Sequence, residues 1–330
     1  MKLLSSLTKK DLKGKRIIVR GDLDVSDLSE KDIRLQRLVP TLKFLIENNS
    51  KIILIGHRGR PNGVKDESLS LKPIEKVLQE MLGRSDFEVL ENLRFDPRES
   101  LDPAQDKGAM EFAKELASKA DIYVNEAFSV CHRSHASIVG IPKYLPSYAG
   151  LNLENEINNL DKIKNEPERP LVVLISGVKE DKLKMVEPLS KLADKVLVGG
   201  KLPDLMGDKG LKSVRNQTGK IIIANLIQDK EDITLNTIEV FTQEILKAKT
   251  IVLAGVLGKF EDEGHSQGTR KVFQAVASSK AFKVVGGGDS LAAINKYSLA
   301  DKFDWVSVGG GAMIEYLVND NLVGIEALTV

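Results

Sequence analysis

The chain has 330 residues, 42% of them hydrophobic and 29% charged, with a formal net charge of +1. That length exceeds what one hydrophobic core organises, so two domains are expected, and the near-neutral balance argues against a polyanion such as nucleic acid as partner. A lone cysteine, Cys131, excludes an internal disulfide and fits a reducing compartment.

The opening "MKLLSSLTKKDLKGK" lacks the apolar core of a signal peptide, and the most apolar runs fall short of a membrane span, so a soluble cytoplasmic protein is expected. Short β-branched runs then alternate with segments of helical period. "RIIV" (16–19) is the first strand, followed by "RGDLD" and by a helix that Arg34 opens. On that helix Leu35, Leu38, Val39, Leu42 and Leu45 keep one face apolar. "KIILI" (51–55) leads into "GHRGRP", and a helix carrying Ile74, Val77, Leu78 and Met81 follows. "FEVL" (87–90) runs into "ENLRF", and "DIYV" (121–124) into "NEAFSVCHRSH". The polar, acidic segment 151–170 has a helical pattern closed by two prolines and reads as the connection between two α/β domains. Six further strands are expected at "LVVLI" (171–175), "KVLV" (195–198), "KIIIA" (220–224), "TIVLA" (250–254), "FKVV" (282–285) and "DWVSV" (304–308). Near-continuous apolar strands separated by helices predict an α/β protein with two doubly wound parallel sheets, each covered on both faces.

In such sheets ligands bind beyond the carboxyl ends of the strands. Four strand ends of the first half deliver Arg20, Asp22, Asp24, His57, Arg60, Arg94, His132 and Arg133, and Arg34 stands nearby. Ten of the thirteen arginines precede residue 150. The planar guanidinium matches carboxylate and phosphate, so this half is expected to bind a small, multiply negative ligand. Arg16, Arg37, Arg84 and Arg98 read as solvated or helix-face residues, and Arg58 as turned away from Arg60. His132 and His135 fit a packed role as well as a ligand contact.

The second half places glycine just past its strands, in "LISGVKEDK" (174–182), "LVGGKL" (197–202), "VLAGVLGKFED" (252–262), "VGGGDS" (285–290) and "VGGGAM" (308–313). A helix N-terminus has unpaired N–H groups and a partial positive charge, and glycine lets a phosphate approach them. Asp289 fits either a Mg²⁺ ligand or a plain helix cap. There is no G-x-x-x-x-G-K-[ST], and neither triplet continues as G-x-G-x-x-G, since Leu291 and Ile314 stand at the last position. A clustered Cys/His metal set is also absent. A basic anion pocket together with a glycine-rich phosphate cradle is what phosphoryl transfer needs, because positioning and electrostatics carry that reaction.

The ordered motifs "IIVRGDLDV", "DIRL", "GHRGRP", "LENLRF", "DIYVNEAF…HRSHAS", "NEPERP", "SGVKEDKL", "GKFED", "GGGDSLAAI" and "GGGAMIEYL" resemble those of phosphoglycerate kinase, from about residue 11 to the end. The resemblance implies a hinge-bending monomer with a cleft between two lobes. Residues 1–150, rejoined by the tail 318–330, would bind 3-phosphoglycerate; 151–165 would be the interdomain helix; 166–317 would bind the nucleotide. The implied activity is a phosphotransferase with a carboxyl acceptor, which moves a phosphoryl group reversibly from 1,3-bisphosphoglycerate to ADP, with Mg²⁺ as cofactor. Asp22, Asp24, Arg34, His57, Arg60, Arg94 and Arg133 would bind the phosphoglycerate, with Asp24 standing where the family usually has Asn. Arg34 and Lys179, with backbone N–H groups around Gly287, Gly288 and Gly310, would stabilise the transferring phosphoryl. Gly177, Lys179, Lys182, Gly199, Gly286, Gly287, Gly288 and Ser290 would meet the nucleotide, Glu261 its ribose, and Asp289 the metal. Lys184 is a rival to Lys182, because the "SGVKEDK" loop is one residue short. The segments 82–90 and 200–250 are short as well, and "DITLNT" (232–237) is the nearest match to a nucleotide-lobe motif. Two other readings are a non-catalytic paralogue that binds a phosphorylated metabolite as regulator or scaffold, and a nicotinamide oxidoreductase without its fingerprint. Small-molecule substrates, and neither nucleic acid nor membrane, are the expected partners.

Overall fold

The β-branched runs pair into two all-parallel sheets. A computed structural model of the chain describes residues 1–25, 27–178, 180–207 and 219–329. It divides into two units, Met1–Asn158 with Asn321–Val330, and Asn159–Asp320.

In the first unit, β1 (Arg16–Arg20), β2 (Lys51–Ile55), β3 (Glu88–Val89), β4 (Ile122–Asn125) and β5 (Ser147–Ala149) lie in the order β3-β2-β1-β4-β5. Chain order reverses at β1, so the switch point lies between β1 and β4, where Arg20 pairs in register with Ile55 on one side and Asn125 on the other. Strand β5 was not among the expected strands. Its three residues are too few for a period-2 pattern, and its pairing with β4 (Tyr123↔Ser147) is a long-range event. Helix α1 (Lys9–Leu12) is a short turn closed by a capping box between Thr8 and Asp11. Helix α2 (Ile33–Glu47) buries Leu35, Leu38, Leu42 and Leu45 against the sheet. Asp32 caps it by accepting from Arg34 N–H at 2.8 Å, so Arg34 sits in the first turn. Helix α3 (Lys72–Leu82) buries Ile74 and Leu78 and ends at Gly83, while α4 (Lys107–Ala117) buries Phe112, Ala113 and Leu116.

Helix α5 (Leu151–Lys164) carries the chain from the first unit into the second. Its polar composition hides a buried stripe of Leu153, Ile157, Leu160 and Ile163. Its N-terminus is held from β4: the buried Glu126 carboxylate accepts from Asn152 N–H at 3.0 Å and Leu153 N–H at 2.8 Å. Burial and then the neighbouring Glu156 charge push the Glu126 carboxyl up to about 7, against those hydrogen bonds. The tail helix α11 (Val323–Glu326) belongs to the first unit, where Gly324 N–H donates to the Cys131 carbonyl at 2.8 Å.

In the second unit, β6 (Leu171–Gly177), β7 (Lys195–Gly200), β8 (Ile221–Ile223), β9 (Thr250–Ala254), β10 (Phe282–Gly286) and β11 (Trp305–Ser307) take the order β11-β10-β9-β6-β7-β8. The switch point lies between β6 and β9. Helices α6 (Leu183–Leu192), α7 (Leu235–Lys247), α8 (Gln267–Ser278), α9 (Gly288–Lys296) and α10 (Gly310–Val318) flank this sheet. The last two begin inside their glycine triplets rather than after them. Among the described residues no helix is long and apolar enough to cross a membrane.

Candidate active site

At the carboxyl ends of β1, β2 and β4 the first unit gathers its basic residues. The Arg34 guanidinium approaches Asp22, with Nε 3.2 Å from Oδ2, and its Nη1 donates to the Asp24 carbonyl. Asp22 is only 4% exposed, yet neither of its oxygens makes an aligned hydrogen bond, so the pair is held by charge rather than by a directional bond. The Asp22 charge, followed by Asp24 and Asp32, outweighs burial and raises the Arg34 pKa. The Asp24 carboxylate accepts from Gly59 N–H at 2.8 Å, which leaves its second oxygen 3.9 Å from His57 Nε2.

Around this pair the positive groups oppose one another. Arg94 donates to the Gly59 carbonyl at 2.7 Å; burial, then the Arg20 charge, push its pKa down to about 10. Burial, then Arg20 and Arg94, hold His57 well below the usual imidazole range. His132 is pushed down to about 4 by burial and Arg133, and His135 to about 3 by burial, Arg94 and Arg20. Both histidines keep a buried Nδ1 without a hydrogen-bond partner. Arg60 and Arg133 are exposed and make no ion pair among the described residues. A bound anion would relieve Arg94 and the three histidines, which burial and neighbouring cations hold down.

Arg20 departs from the expectation that it lines the binding edge. It is fully buried, and its guanidinium bonds to Ser137, the Gly21 carbonyl and His57, with Glu99 at 3.8 Å. Arg58 is turned onto the Ser68 carbonyl, and Arg16, Arg84 and Arg98 pair with local carboxylates, as expected of residues outside the site.

The second unit holds a cavity of about 260 Å³ at the ends of β6, β7 and β9. Gly177, Glu261 and Asp289 of the expected set line it, joined by Val178, Gly200, Lys201, Lys230, Glu231 and the stretch Val256–Phe260. Lys201 and Glu231 form an ion pair at 2.9 Å on its wall. Sequence reasoning missed this pair; the only signal was the lysine in "VGGKL" directly after the glycines. Gly199 lies beneath: a Cβ there would stand 2.2 Å from Leu257 Cδ2, so Gly200 takes the lining role expected of Gly199. Ser290 is another correction. Its side chain is fully buried and its hydroxyl accepts from Gly255 N–H at 2.8 Å, so it braces the turn and does not face a ligand. Lys182 is folded back, its Nζ donating to the Ser176 carbonyl and, at 3.4 Å, to the Ala254 carbonyl, across the switch point. Lys184 is exposed, and Lys179 lies outside the described residues. Asp232, in the "DITLNT" stretch, is buried and accepts from Gly268 N–H at 2.9 Å, bracing the loop that lines the cavity.

The two glycine triplets meet each other. A Cβ on Gly310 would stand 2.5 Å from Gly287 Cα, and one on Gly286 would stand 2.9 Å from Met313 Cε, whereas Gly288 faces open space. Gly288 opens α9 beside Asp289, so the free N–H groups and the carboxylate share one helix start. Asp289 is exposed and lines the cavity, which fits a Mg²⁺ held by one carboxylate and otherwise by phosphate and water oxygens. No cluster of three metal-ligating side chains occurs among the described residues.

The family model for phosphoglycerate kinase matches residues 7–89, 85–213 and 204–320. The phosphoglycerate kinase of Dictyoglomus turgidum is 34% identical over 99% of this chain and 98% of its own length. That of Thermosipho africanus is 36% identical over 96% of each. The first alignment runs over 399 positions, more than the 330 residues here, so this chain is shorter by internal gaps. Among solved structures, phosphoglycerate kinase from Pyrococcus horikoshii superposes with a TM-score of 0.83 at 27% identity, covering 100% of this chain and 98% of that one. The Coxiella burnetii enzyme gives 0.80 at 28% identity over 99% and 98%. The chain belongs to the phosphoglycerate kinase family, kinases that transfer a phosphoryl group to and from a carboxyl group.

Proposed function

We propose that the basic basin of the first unit binds the 3-phosphoglycerate portion of the substrate and that the cavity of the second unit binds ADP or ATP. The activity is that of the family: reversible phosphoryl transfer from 1,3-bisphosphoglycerate to ADP, a step of glycolysis. The observation that carries the assignment of the basin is its crowding of cationic groups: burial, then the Arg20 charge, hold Arg94 down, and burial, then Arg20 and Arg94 together, hold His57 and His135 down, a strain that a phosphate and a carboxylate together would relieve.

In this reading Arg34 is a preorganised donor, aimed by Asp22 and by the Asp24 carbonyl at charge that builds on the transferring group. Arg60, Arg94 and Arg133 bind substrate charge, and His57 supplies a hydrogen bond beside Asp24. Gly177 and the N–H groups at Gly287 and Gly288 approach nucleotide phosphates, Glu261 the ribose, and Gly310 supports Gly287 from behind. Lys179 neutralises the transferring phosphoryl, and Lys182 reaches a phosphate only on leaving its two carbonyls. Asp289 would hold Mg²⁺, which shields phosphate charge when bound. We further propose a cytoplasmic monomer whose partners are small molecules. The near-full-length relatives, all kinases by name, favour catalysis over a regulator or scaffold. A coupled assay for ATP formation from 1,3-bisphosphoglycerate tests this, with calorimetry of ADP and Mg²⁺ beside it; binding of glycerate phosphates without nucleotide binding or turnover would reverse the choice.

A further inference from the structure

We infer that Arg20, buried beneath the basin and out of a ligand's reach, fixes His57 as a neutral ring that donates from Nε2, and so aims the hydrogen bond with which His57 reads the substrate. The inference deepens the proposed function and rests on its placement of phosphoglycerate in the first unit.

The argument starts from donor counting. Arg20 Nη2 lies 2.9 Å from His57 Nδ1, in the buried interior. A guanidinium has five N–H donors, no acceptor, and stays charged in proteins. Nδ1 must therefore offer its lone pair, and the single ring proton sits on Nε2. A second ring proton on Nδ1 would set two donors against each other.

Arg20 cannot swing aside to relax this demand. Its Nε donates to Ser137 Oγ at 2.9 Å and its Nη1 to the Gly21 carbonyl at 2.6 Å. Ser137 in turn donates its hydroxyl to Glu99 Oε1 at 2.7 Å and its N–H to Oε2 at 3.0 Å. Glu99, fully buried, balances the arginine from 3.8 Å. The other charged and titratable groups that act on the ring are Arg94, His135 and Arg34, with Asp24 at the exposed end. Asp24 Oδ2 stands 3.9 Å from Nε2, beyond hydrogen-bond reach, so the Nε2–H remains available to a small acceptor. The arginines of the basin then supply charge and His57 supplies direction without adding charge. Arg20 is a positioning residue that acts through His57.

The test uses the full chain labelled with ¹⁵N. Long-range ¹H–¹⁵N correlation of the imidazoles, assigned by the signal lost in His57→Gln, reads the tautomer without any ligand. The expected result is an Nε2-protonated ring that does not titrate between about pH 5.5 and 8. An Nδ1-protonated ring, or one that titrates near the free imidazole value, overturns the proposal whether or not any Arg20 variant folds. Arg20→Lys keeps a donor-only partner and should keep the tautomer. Arg20→Gln offers an amide oxygen that can accept from Nδ1, so it should mix the tautomers and raise KM for 3-phosphoglycerate about tenfold, with kcat changed less than about threefold. A folded Arg20→Gln with the wild-type spectrum and KM also overturns it. Failure of the wild type to bind 3-phosphoglycerate in calorimetry, with the Nε2–H ring as expected, would overturn the substrate reading while upholding the role of Arg20 in fixing the ring.

Discussion

Gly310 rests on Gly287. A Cβ at residue 310 would lie 2.5 Å from Gly287 Cα and 2.7 Å from its nitrogen, with Gly287 itself at φ +104°. Backbone meets backbone there, so no flexible side chain can yield. Gly310→Ala should cost about 1–3 kcal/mol in urea unfolding and weaken ADP binding, because the α9 start must shift. Gly288→Ala, into open space, should stay within about 0.5–1 kcal/mol of wild type. Equal unfolding midpoints for the two variants would mean that the packing of the triplets carries no weight.

Arg34→Ala should lower kcat by about 10²–10³-fold, the usual loss for one preorganised donor. It should also destabilise the protein by about 3–5 kcal/mol, since Asp22 is left as a buried, uncompensated charge. The double variant Arg34→Ala with Asp22→Asn should recover most of the stability and none of the rate. Steady-state kinetics beside thermal unfolding separates the two effects, and an unchanged kcat in Arg34→Ala would reject its role.

His135 makes stability depend on pH in a definite direction. Its folded-state pKa, about 3, lies below the unfolded value, so between those limits the unfolded chain binds the extra proton. Stability is complete above the unfolded pKa of about 6.5 and falls as acid is added, by up to about 1.4 kcal/mol per pH unit from this residue. His135→Gln should flatten the acid limb between about pH 4 and 6 by that slope, measured by urea unfolding across the range. Glu126 works oppositely: its carboxyl, pushed up to about 7, loses stability as pH rises from its unfolded value through that point. An acid limb of wild-type steepness in His135→Gln would contradict the assignment.

Asp289→Ala should raise the Mg²⁺ concentration required for half-maximal rate and weaken ADP, while changing stability by less than about 0.5 kcal/mol, because the side chain is exposed. Titration of activity against Mg²⁺, with the melting temperature as control, checks this. Unaltered metal dependence would leave Asp289 as a helix-start residue alone.

The strands could be read because their signal is local. Runs such as "KIILI" and "TIVLA" are apolar throughout, and β2 and β9 fall on them. Among the described strands only β5 escaped, its three residues being ordered by β4 rather than by their own pattern. The same locality made the strand-end residues legible as a set: Asp22, Asp24, His57 and Arg94 follow their strands within a few positions, and the fold gathers them.

What one-dimensional pattern could not rank is which member of that set faces a ligand and which supports it. Arg20, the last residue of β1, and Arg60, in the loop that follows β2, both read as binding-edge arginines, yet Arg20 is buried by partners 37 and 117 positions away, His57 and Ser137, while Arg60 stays exposed. Ser290 and Gly199 read as ligand contacts and prove to be bracing and packing, and the Lys201–Glu231 pair arises across 30 positions of chain. Periodicity and strand-end position are properties of neighbours along the chain, and these determined the parallel α/β class and the identity of the basic set. Burial, tautomer and glycine-on-glycine contact depend on distant segments packing at atomic distances, so only the folded chain decided them.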